Sequence, residues 1–423
     1  MNIVFLMALA LLCVCCGGRP SEKTEIQKER AETSLLVLSD TVRADTFTLS
    51  RIADTVFYVN LHRKFDCVEY LQKIHYLDSI IFVQDMRGVY AFDATGKFLY
   101  HKDLHAGCLD VDAEAGKFYT YESTFGSNEV KAYDFKGKEL YKFRVLADNN
   151  SYYGAYFLAL NDSLFVRADN DQSQSELLFF NRKGRVVKRM KNPQVVVPAP
   201  DAMSYNPRWE RPLFRSPMGL RFHRCYGDTL FAVEADRTLR PVFVEHLVKK
   251  VPYGKRFDVV GGDLIAYLDL CDKEGYAATR MYENSRFFLI ECQIGKSDVR
   301  MPYYWLYDRA EGTLSRAGIT VQQGIDAHTF HFGIFNDYDG GLGFAPLCQS
   351  GDYLIMVNAG TVQPVVGDHP KLLYEKGRRY FEETYACRSD VAASAQKEAA
   401  VKAFFRDFDD EKDTMLMIVK LKK

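Results

Sequence analysis

A short phrase that occurs three times in the first half of the chain constrains its fold more than any other feature. Each copy has an apolar or aromatic strand end, an Asp or Asn that can open a turn, a Gly three positions later and then a basic residue. The copies are Tyr90-Ala91-Phe92-Asp93-Ala94-Thr95-Gly96-Lys97, Ala132-Tyr133-Asp134-Phe135-Lys136-Gly137-Lys138 and Phe179-Phe180-Asn181-Arg182-Lys183-Gly184-Arg185. Glycine tolerates the positive φ that tight turns need. The spacings of 41 and 47 residues are those of propeller blades.

Six apolar, β-rich runs, each opened by a polar residue or Gly, indicate the number of blades. They are Asp78–Val83, Gly116–Tyr121, Asp162–Val166, Asp228–Val233, Ser285–Ile290 and Asp352–Val357. The inner strands of a blade are covered on both faces, so near-continuous apolar runs are expected there. We therefore predict an all-β, six-bladed β-propeller. A β-sandwich of similar strand count is the alternative, but a Greek key does not readily repeat one turn at blade period.

The C-terminal part of the chain predicts how the ring closes. From Pro370 to Phe408 the sequence is rich in Lys, Glu, Ala and Arg, with apolar residues at helix-like intervals, and it predicts one or two amphipathic helices. Thr414–Leu421 then reads as a strand. Pairing this strand with N-terminal sequence within Thr46–Leu61 would remove exposed edges. The helices, at about 370–408, would be an insertion in the closing blade.

The N-terminus predicts export and lipidation. The apolar run Ile3–Val14 is too short to span a bilayer and suits a signal peptide. It ends at Cys13-Val14-Cys15-Cys16-Gly17-Gly18, which resembles a bacterial lipobox with Cys16 as the lipidated residue. We expect a lipoprotein signal peptide at 1–16, a flexible tether at 17–33 and one propeller domain at 34–423. Plain secretion and an uncleaved anchor are the alternatives. The predicted location is the cell envelope, on the periplasmic side or at the cell surface.

Charge and cysteine content give little information about partners. With 55 basic and 56 acidic residues the net charge is -1, so no overall field attracts nucleic acid. The membrane is expected as a partner only through the lipid. The seven cysteines beyond Cys16 are scattered and show no metal-ligand spacing, so we predict small buried apolar residues and no cofactor.

Several of these segments together resemble one family. They are the turn phrase Phe92-Asp93-Ala94-Thr95-Gly96-Lys97, the run Asp228-Thr229-Leu230-Phe231 with Pro241 downstream, Asn336-Asp337-Tyr338-Asp339-Gly340-Gly341, and the basic closing strand. The sequence from about Ser34 to Lys423 resembles the six-bladed β-propeller lipoproteins that are abundant in Bacteroidota and largely uncharacterised. The resemblance implies a membrane-anchored propeller and leaves its biochemical role open.

Two short segments contain residue types that bind metals. His328 and His331 are three apart, but the flanking aromatic residues indicate a strand, on which such positions face opposite sides. Asp337 and Asp339 precede a Gly, as at the start of a calcium loop, but the Glu that completes such a loop is missing. We interpret Asp337 and Asp339 as turn residues that bond their own backbone, with calcium as the weaker alternative.

The insert between the third and fourth repeats is the main candidate for binding. Nucleophile and phosphate-binding motifs are absent from the sequence. The insert Ala202–Arg215 instead mixes aromatic and Arg side chains, which suit sugars or peptides. Our candidate binding residues are Tyr205, Arg208, Trp209 and Arg211, with Arg221 and His223 on the following strand as possible channel residues. We predict a non-catalytic propeller that binds a partner protein, peptide or glycan on its loop face. The alternative is a hydrolase or lyase with acidic residues in the central funnel.

Overall fold

The computed structural model describes most of the chain after residue 33. The described residues are 34–38, 45–65, 73–85, 87–103, 107–124, 127–146, 156–169, 173–193, 195, 212–224, 229–247, 270, 277–294, 301–317, 319–323, 330–358, 369–372, 374–375 and 394–423. They contain 28 strands and two helices with assigned bounds.

Three strands and a short helix come first in the chain. They are β1 (Ser34–Leu38), β2 (Asp45–Phe47), α1 (Leu49–Ile52) and β3 (Ala53–Asn60).

Blades 1 to 3 follow as successive four-stranded antiparallel sheets, in which each strand pairs with the next in sequence. Blade 1 holds β4 (Lys73–Leu77), β5 (Ile80–Gln84), β6 (Gly88–Asp93) and β7 (Phe98–Asp103). Blade 2 holds β8 (Gly107–Asp112), β9 (Lys117–Thr124), β10 (Ser127–Asp134) and β11 (Glu139–Arg144). Blade 3 holds β12 (Tyr156–Asn161), β13 (Leu164–Ala168), β14 (Ser175–Asn181) and β15 (Val186–Lys191).

Blades 4 and 5 each carry a fifth strand on the outer edge. Blade 4 holds β16 (Leu213–Ser216), β17 (Gly219–His223), β18 (Thr229–Val233) and β19 (Leu239–Leu247). Blade 5 holds β20 (Ala277–Glu283), β21 (Phe287–Ile294), β22 (Met301–Asp308) and β23 (Thr313–Ala317). Strand β1 pairs in parallel with β19, and β2 pairs in parallel with β23. The sequence did not predict these two additions.

Blade 6 joins the two ends of the chain. A hairpin, β24 (Ile319–Gln323) and β25 (Phe330–Ile334), precedes it, and its strands are β26 (Cys348–Ser350), β27 (Tyr353–Val357), β28 (Met415–Leu421) and then β3. Strand β28 is antiparallel to β3, with Ile418 opposite Phe57. The predicted closure is therefore confirmed, as is the six-bladed propeller. The helix α2 (Ala395–Asp407) lies between β27 and β28, as the predicted insertion requires.

The hydrophobic core consists of six clusters, each between two neighbouring blades. Strand β5, the second strand of blade 1, shows why the second strand of a blade is apolar along its whole length. Ile81 and Val83 pack towards blade 6, whereas Ile80 and Phe82 pack towards blade 2. Alternate side chains of a strand point to opposite faces, so both faces of a middle strand are buried.

One of the six apolar runs occupies a different strand of its blade from the other five. Five of them form the second strands of their blades, but Asp228–Val233 leads into β18, the third strand of blade 4. The second strand is β17, in which Arg221 and His223 hide the apolar pattern. Strand β16 begins inside the insert Ala202–Arg215, so the end of that insert belongs to blade 4.

Among the described residues, no helix is long and apolar enough to cross a membrane.

Candidate functional site

A central cavity lies where the innermost strands of the six blades meet. Its volume is about 60 Å³, enough for a few water molecules or one small polar group. Each blade contributes to its wall through β4, β8, β12, β16, β20 or β26. The polar or charged lining residues are Lys73, His75, Asp110, Arg215, Arg280, Tyr282 and Gln349. Because five sequence-distant strands supply these side chains and a sixth, β12, supplies Leu158, the cavity exists only in the closed ring.

The most buried charge in the wall is Asp110 on β8, which is 0% exposed. Its Oδ2 accepts a hydrogen bond from the Ala159 backbone N–H at 2.8 Å and lies 3.1 Å from Arg215 Nη2. The same Nη2 donates to the Ala159 carbonyl oxygen at 2.5 Å. Asp110 raises the pKa of Arg215, and the guanidinium therefore stays charged. This network joins blades 2, 3 and 4 at the axis of the ring.

Two further cations line the cavity. Lys73 Nζ on β4 donates to the Leu109 carbonyl oxygen at 2.8 Å. Arg280 on β20 lies opposite Glu291 of β21, with Nη1 3.7 Å from Oε2. Burial disfavours the charge on Arg280, but the Glu291 carboxylate together with Tyr282 and Tyr304 outweighs that cost and raises the pKa of the guanidinium. The lining therefore carries three cationic side chains besides His75, whereas Asp110 is its single carboxylate among the described residues.

Three buried polar atoms of the cavity wall have no hydrogen-bond partner within the described part of the chain. They are Asp110 Oδ1, Arg215 Nε and Arg280 Nε. A buried polar group without a partner costs about 1–3 kcal/mol, so such atoms are rarely left unpaired. All three residues that carry these atoms belong to the cavity wall.

Arg221 and His223 lie on β17, as the sequence predicted, but neither is among the cavity-lining residues. Arg221 is 6% exposed, and its Nε lies 2.5 Å from Glu283 Oε1. Glu283 also receives Arg309 Nη2 at 2.7 Å and the Ser216 hydroxyl at 2.8 Å. Arg221 is therefore committed to an ion cluster between blades 4 and 5, and a ligand would have to displace that pair.

The other predicted site residues of the insert, Tyr205, Arg208, Trp209 and Arg211, lie outside the described residues, as does Cys16. Their roles stay predictions. His328 also lies outside, and of His331 only the backbone is described, in strand β25.

Asp337 and Asp339 both accept hydrogen bonds from the protein. Asp337 Oδ2 accepts from the Thr48 hydroxyl at 2.6 Å, and its Oδ1 accepts from the Ser50 backbone N–H at 2.8 Å. Asp339 Oδ1 accepts from Asn336 Nδ2 at 2.7 Å and from the Gly341 N–H at 2.9 Å. Within the described residues, no group of three or more His, Cys, Asp or Glu side chains could hold a metal ion. Asp339 bonds the backbone of its own turn, as the sequence suggested for both residues, whereas Asp337 accepts hydrogen bonds from Thr48 and Ser50 beside α1.

Sequence reasoning did not select Lys73, Asp110, Arg215 or Arg280. Each lies in the first strand of its blade, which is short and interrupted by polar residues. A charged residue inside an otherwise apolar strand, just before the repeated apolar run, was the available signal. Asp110 between Leu109 and Val111 is the clearest case.

Comparisons with known proteins show low identities. No curated protein matches the sequence. A Bacteroides caccae protein of unknown function is 10% identical, with a TM-score of 0.36, over 58% of this chain and 81% of that one. A streptogramin B lyase is 9% identical, with a TM-score of 0.36, over 62% and 86%. The Neurospora crassa Pan2 WD40 domain is 11% identical, with a TM-score of 0.36, over 69% and 84%.

Residues 36–419 match the family described as "Domain of unknown function (DUF4934)". The match covers nearly all of the ring, from β1 to β28. The chain therefore belongs to the DUF4934 family.

Proposed function

We propose that the protein is a non-catalytic binding protein whose central cavity receives an anionic group of its ligand. Three lining cations, Lys73, Arg215 and Arg280, against Asp110 as the single carboxylate among the described lining residues, carry this proposal. A carboxylate accepts hydrogen bonds from guanidinium groups in a geometry that suits both partners. Since the cavity is small, it accommodates one group of a larger ligand that remains on the loop face of the ring.

The unpaired oxygen of Asp110 adds a second requirement. It needs a donor from the ligand, next to the anionic group. A uronic acid sugar has a hydroxyl beside its carboxylate, and a peptide C-terminus has an amide N–H beside its carboxylate. We propose a carboxylate with an adjacent donor as the chemistry recognised, within the classes of peptide, partner protein and glycan.

The predicted insert supports a ligand larger than the cavity. Trp209 and Arg211 precede the cavity-lining Arg215 by only six and four residues in the sequence. Aromatic and Arg side chains suit contacts with the rest of a sugar or peptide. If binding is unchanged in a Trp209→Ala, Arg211→Ala double variant, the insert has no part in recognition.

Calorimetric titration tests the cavity with four probes: glucuronic acid, glucose, and one tripeptide with a free or an amidated C-terminus. The probes form a sugar pair and a peptide pair, and in each pair one member has a free carboxylate. We expect binding of the carboxylate-bearing member of one pair only. Binding of glucuronic acid would indicate a glycan ligand, and binding of the free tripeptide would indicate a peptide ligand. Lys73→Gln should weaken that binding about tenfold through loss of a charged donor. Lys402→Gln, on α2 far from the axis, is the matched control.

For Asp110→Asn, the direction of the change in affinity for a carboxylate tests whether the ligand is anionic. Asn retains an oxygen for the Ala159 N–H, removes the negative charge beside the anionic group, and should tighten the binding of acetate, a carboxylate probe without an adjacent donor, severalfold. Weaker binding of the carboxylate probe to this variant would contradict an anionic ligand, because it would mean that the ligand needs the Asp110 charge.

The enzyme alternative has less support. Hydrolysis of glycosides by the usual route uses two carboxylates about 5–10 Å apart. Among the described lining residues Asp110 is the single carboxylate, and Arg215 is paired with it. No observation in the described residues favours that chemistry over binding.

We also propose that Cys16 is lipidated and anchors the ring to a membrane of the bacterial cell envelope, as in the Bacteroidota lipoproteins that the sequence resembles. The apolar run Ile3–Val14 and the cysteines that follow support this. Metabolic labelling with a fatty acid should mark the wild-type protein and not Cys16→Ala. A Cys16→Ala variant that is still labelled and still sediments with membranes would exclude this anchor.

A further inference from the structure

The outer edge of the ring differs between its two halves. In blades 4 and 5 the outermost antiparallel strand is covered by β1 or β2. In blades 1 to 3 the outer strands β7, β11 and β15 have one neighbouring strand each among the described residues. We call the last turns and outer strands of these blades, residues 94–103, 135–144 and 182–191, the outer rim.

The outer rim is strongly basic. Its thirty residues hold twelve Lys or Arg and two acidic residues, a net charge of +10 in a chain whose total is -1. The corresponding stretches 235–247 and 309–317 of blades 4 and 5 carry net charges of only 0 and +1. Most of the basic side chains of the rim are exposed. The charge is therefore a local property of blades 1 to 3.

The same rim carries most of the exposed apolar surface. Across the described residues six large apolar side chains are exposed, and four of them lie in the rim: Phe98 (44%), Leu99 (47%), Leu140 (42%) and Val187 (40%). A fifth, Leu146, follows β11 by two residues and is 65% exposed. Met218 of blade 4 is the sixth. Folded proteins rarely concentrate exposed apolar side chains without a use for them.

Basic and apolar side chains alternate in the same order on two neighbouring blades. In β11 Leu140, Lys142 and Arg144 are exposed, as is Glu139 next to the turn, and in β15 the exposed residues are Val187, Arg189 and Lys191. Residues two apart in a strand share a face. Each blade thus presents one apolar side chain followed by two cations along one face.

Protection against edge-to-edge pairing explains only part of this pattern. Lysines on an edge strand discourage pairing with another chain, and the rim strands are edges. Exposed Phe98, Leu99, Leu140 and Val187 would counteract that protection. A partner that is both anionic and apolar uses both kinds of side chain, and the interface of an anionic bilayer has this composition.

We propose that the outer rim of blades 1 to 3 binds the surface of an anionic phospholipid bilayer, so that the ring stands edge-on to the membrane. The basic side chains meet lipid phosphates, and Phe98, Leu99, Leu140 and Val187 enter the boundary between headgroups and acyl chains. The interaction does not depend on lipidation of Cys16. It goes beyond the proposed binding function because it assigns a different surface and a different partner.

Vesicle sedimentation of residues 17–423 tests the rim without the lipid anchor and without the apolar run Ile3–Val14. The probes are phosphatidylcholine vesicles with or without about 30% phosphatidylglycerol. We expect binding that requires phosphatidylglycerol and falls about tenfold or more between about 50 and 300 mM NaCl. Lys142→Glu with Lys191→Glu should reduce it at least about 30-fold. Leu99→Ser with Leu140→Ser should reduce it about fivefold.

Lys402→Glu with Arg406→Glu, two exposed cations of α2 on blade 6, is the matched control and should bind as the parent does. If a rim variant proves unstable, Arg144→Gln with Arg185→Gln replaces it. Equal binding to both kinds of vesicle, or unchanged binding of the charge variant, would overturn the proposal. So would unchanged binding of the apolar variant combined with tight binding to a soluble anionic polysaccharide, because the rim would then recognise polyanions and not bilayers.

Discussion

The turns between the third and fourth strands depend on one side chain and one glycine each. Asp93 Oδ1 accepts the N–H groups of Thr95 and Lys97 at 2.9 and 3.1 Å, and Asn181 plays the same part in blade 3. Gly96, Gly137 and Gly184 all have positive φ, as the sequence predicted. The equivalent turn of blade 4 closes in the same way, because the Glu234 N–H donates to the Thr238 carbonyl oxygen. The position that glycine occupies in the other turns is here Arg237, with a φ of 69°. That substitution hid a fourth copy of the phrase.

Gly184→Ala should cost much more stability than Gly116→Ala. Both residues have positive φ, so each alanine substitution should lower the free energy of unfolding by about 1 kcal/mol through its strained backbone conformation. A methyl group at Gly184 would also lie 1.7 Å from the Arg144 carbonyl oxygen of blade 2, whereas Gly116 faces open space. Urea unfolding should show a loss of about 1 kcal/mol for Gly116→Ala and at least about 3 kcal/mol for Gly184→Ala. Equal losses of stability would mean that the backbone of blade 2 at Arg144 moves to make room for the methyl group.

Asp339→Asn should stabilise the protein increasingly as the pH rises. Burial raises the pKa of Asp339 above its ordinary 3.8, although bonds from Gly341, Asn336 and Tyr58 oppose the shift. The folded state therefore holds this proton more tightly than the unfolded state, and wild-type stability falls as the pH rises from 3.8 through the raised pKa. Asn keeps the accepting oxygen and cannot ionise. The difference between variant and wild type, measured by urea unfolding, should grow by at most about 1.4 kcal/mol per pH unit and then level off. A variant that is less stable at every pH would show that the charge is needed.

At the scale of elements, the ion cluster of Glu283 connects blades 4 and 5. Glu283→Gln should cost about 3–5 kcal/mol, because it leaves the buried Arg221 guanidinium without a charged partner. Arg309→Gln is the matched variant, since it breaks the same cluster at a side chain that is 32% exposed, and it should cost about 1 kcal/mol. Chemical denaturation compares the two. If Arg309→Gln lowers the free energy of unfolding as much as Glu283→Gln does, the burial of an unpaired Arg221 charge is not the main reason for the loss.

Elements with a strong local or periodic pattern could be predicted from the sequence, and others could not. The closing strand β28 and the helix α2 are long and regular, so their types and places in blade 6 were predictable. Strand β2 has three residues and pairs in parallel with β23, which nothing in Asp45–Phe47 signals. The cavity was unpredictable for a related reason: Lys73, Asp110 and Arg215 meet only through the ring, and each looks like an ordinary strand residue in its own segment.

At the scale of the whole molecule, stability belongs to contacts between blades. The six core clusters each draw side chains from two blades. No blade buries its apolar residues by itself, so a weakened blade exposes surface of both neighbours. We therefore expect the ring to unfold as one cooperative unit.

Ile418→Ala tests this cooperativity at the closing strand. Ile418 is fully buried between blades 6 and 1, and its loss to Ala should cost about 3 kcal/mol, against about 1 kcal/mol for Ile418→Val. In a Trp209→Phe background, Trp305 of blade 5 reports locally by fluorescence, and far-UV circular dichroism reports on all blades. Both midpoints should shift together in urea. Separate midpoints would show that blades 6 and 1 can open while blade 5 remains folded.

The pairing of β3 with β28 also fixes the order of events during synthesis. The Asn60 side chain donates a hydrogen bond to Asp413, 353 residues later in the chain. Strands β1 and β2 likewise pair with strands of blades 4 and 5, which are synthesised after them. Blades 1 to 3 pair within contiguous sequence and can form early. At about 5–20 residues per second, a ribosome needs roughly 20–70 s to travel from β3 to β28. During that time the N-terminal segment lacks its strand partners, so a nascent chain can be threaded through a membrane before its ring has closed.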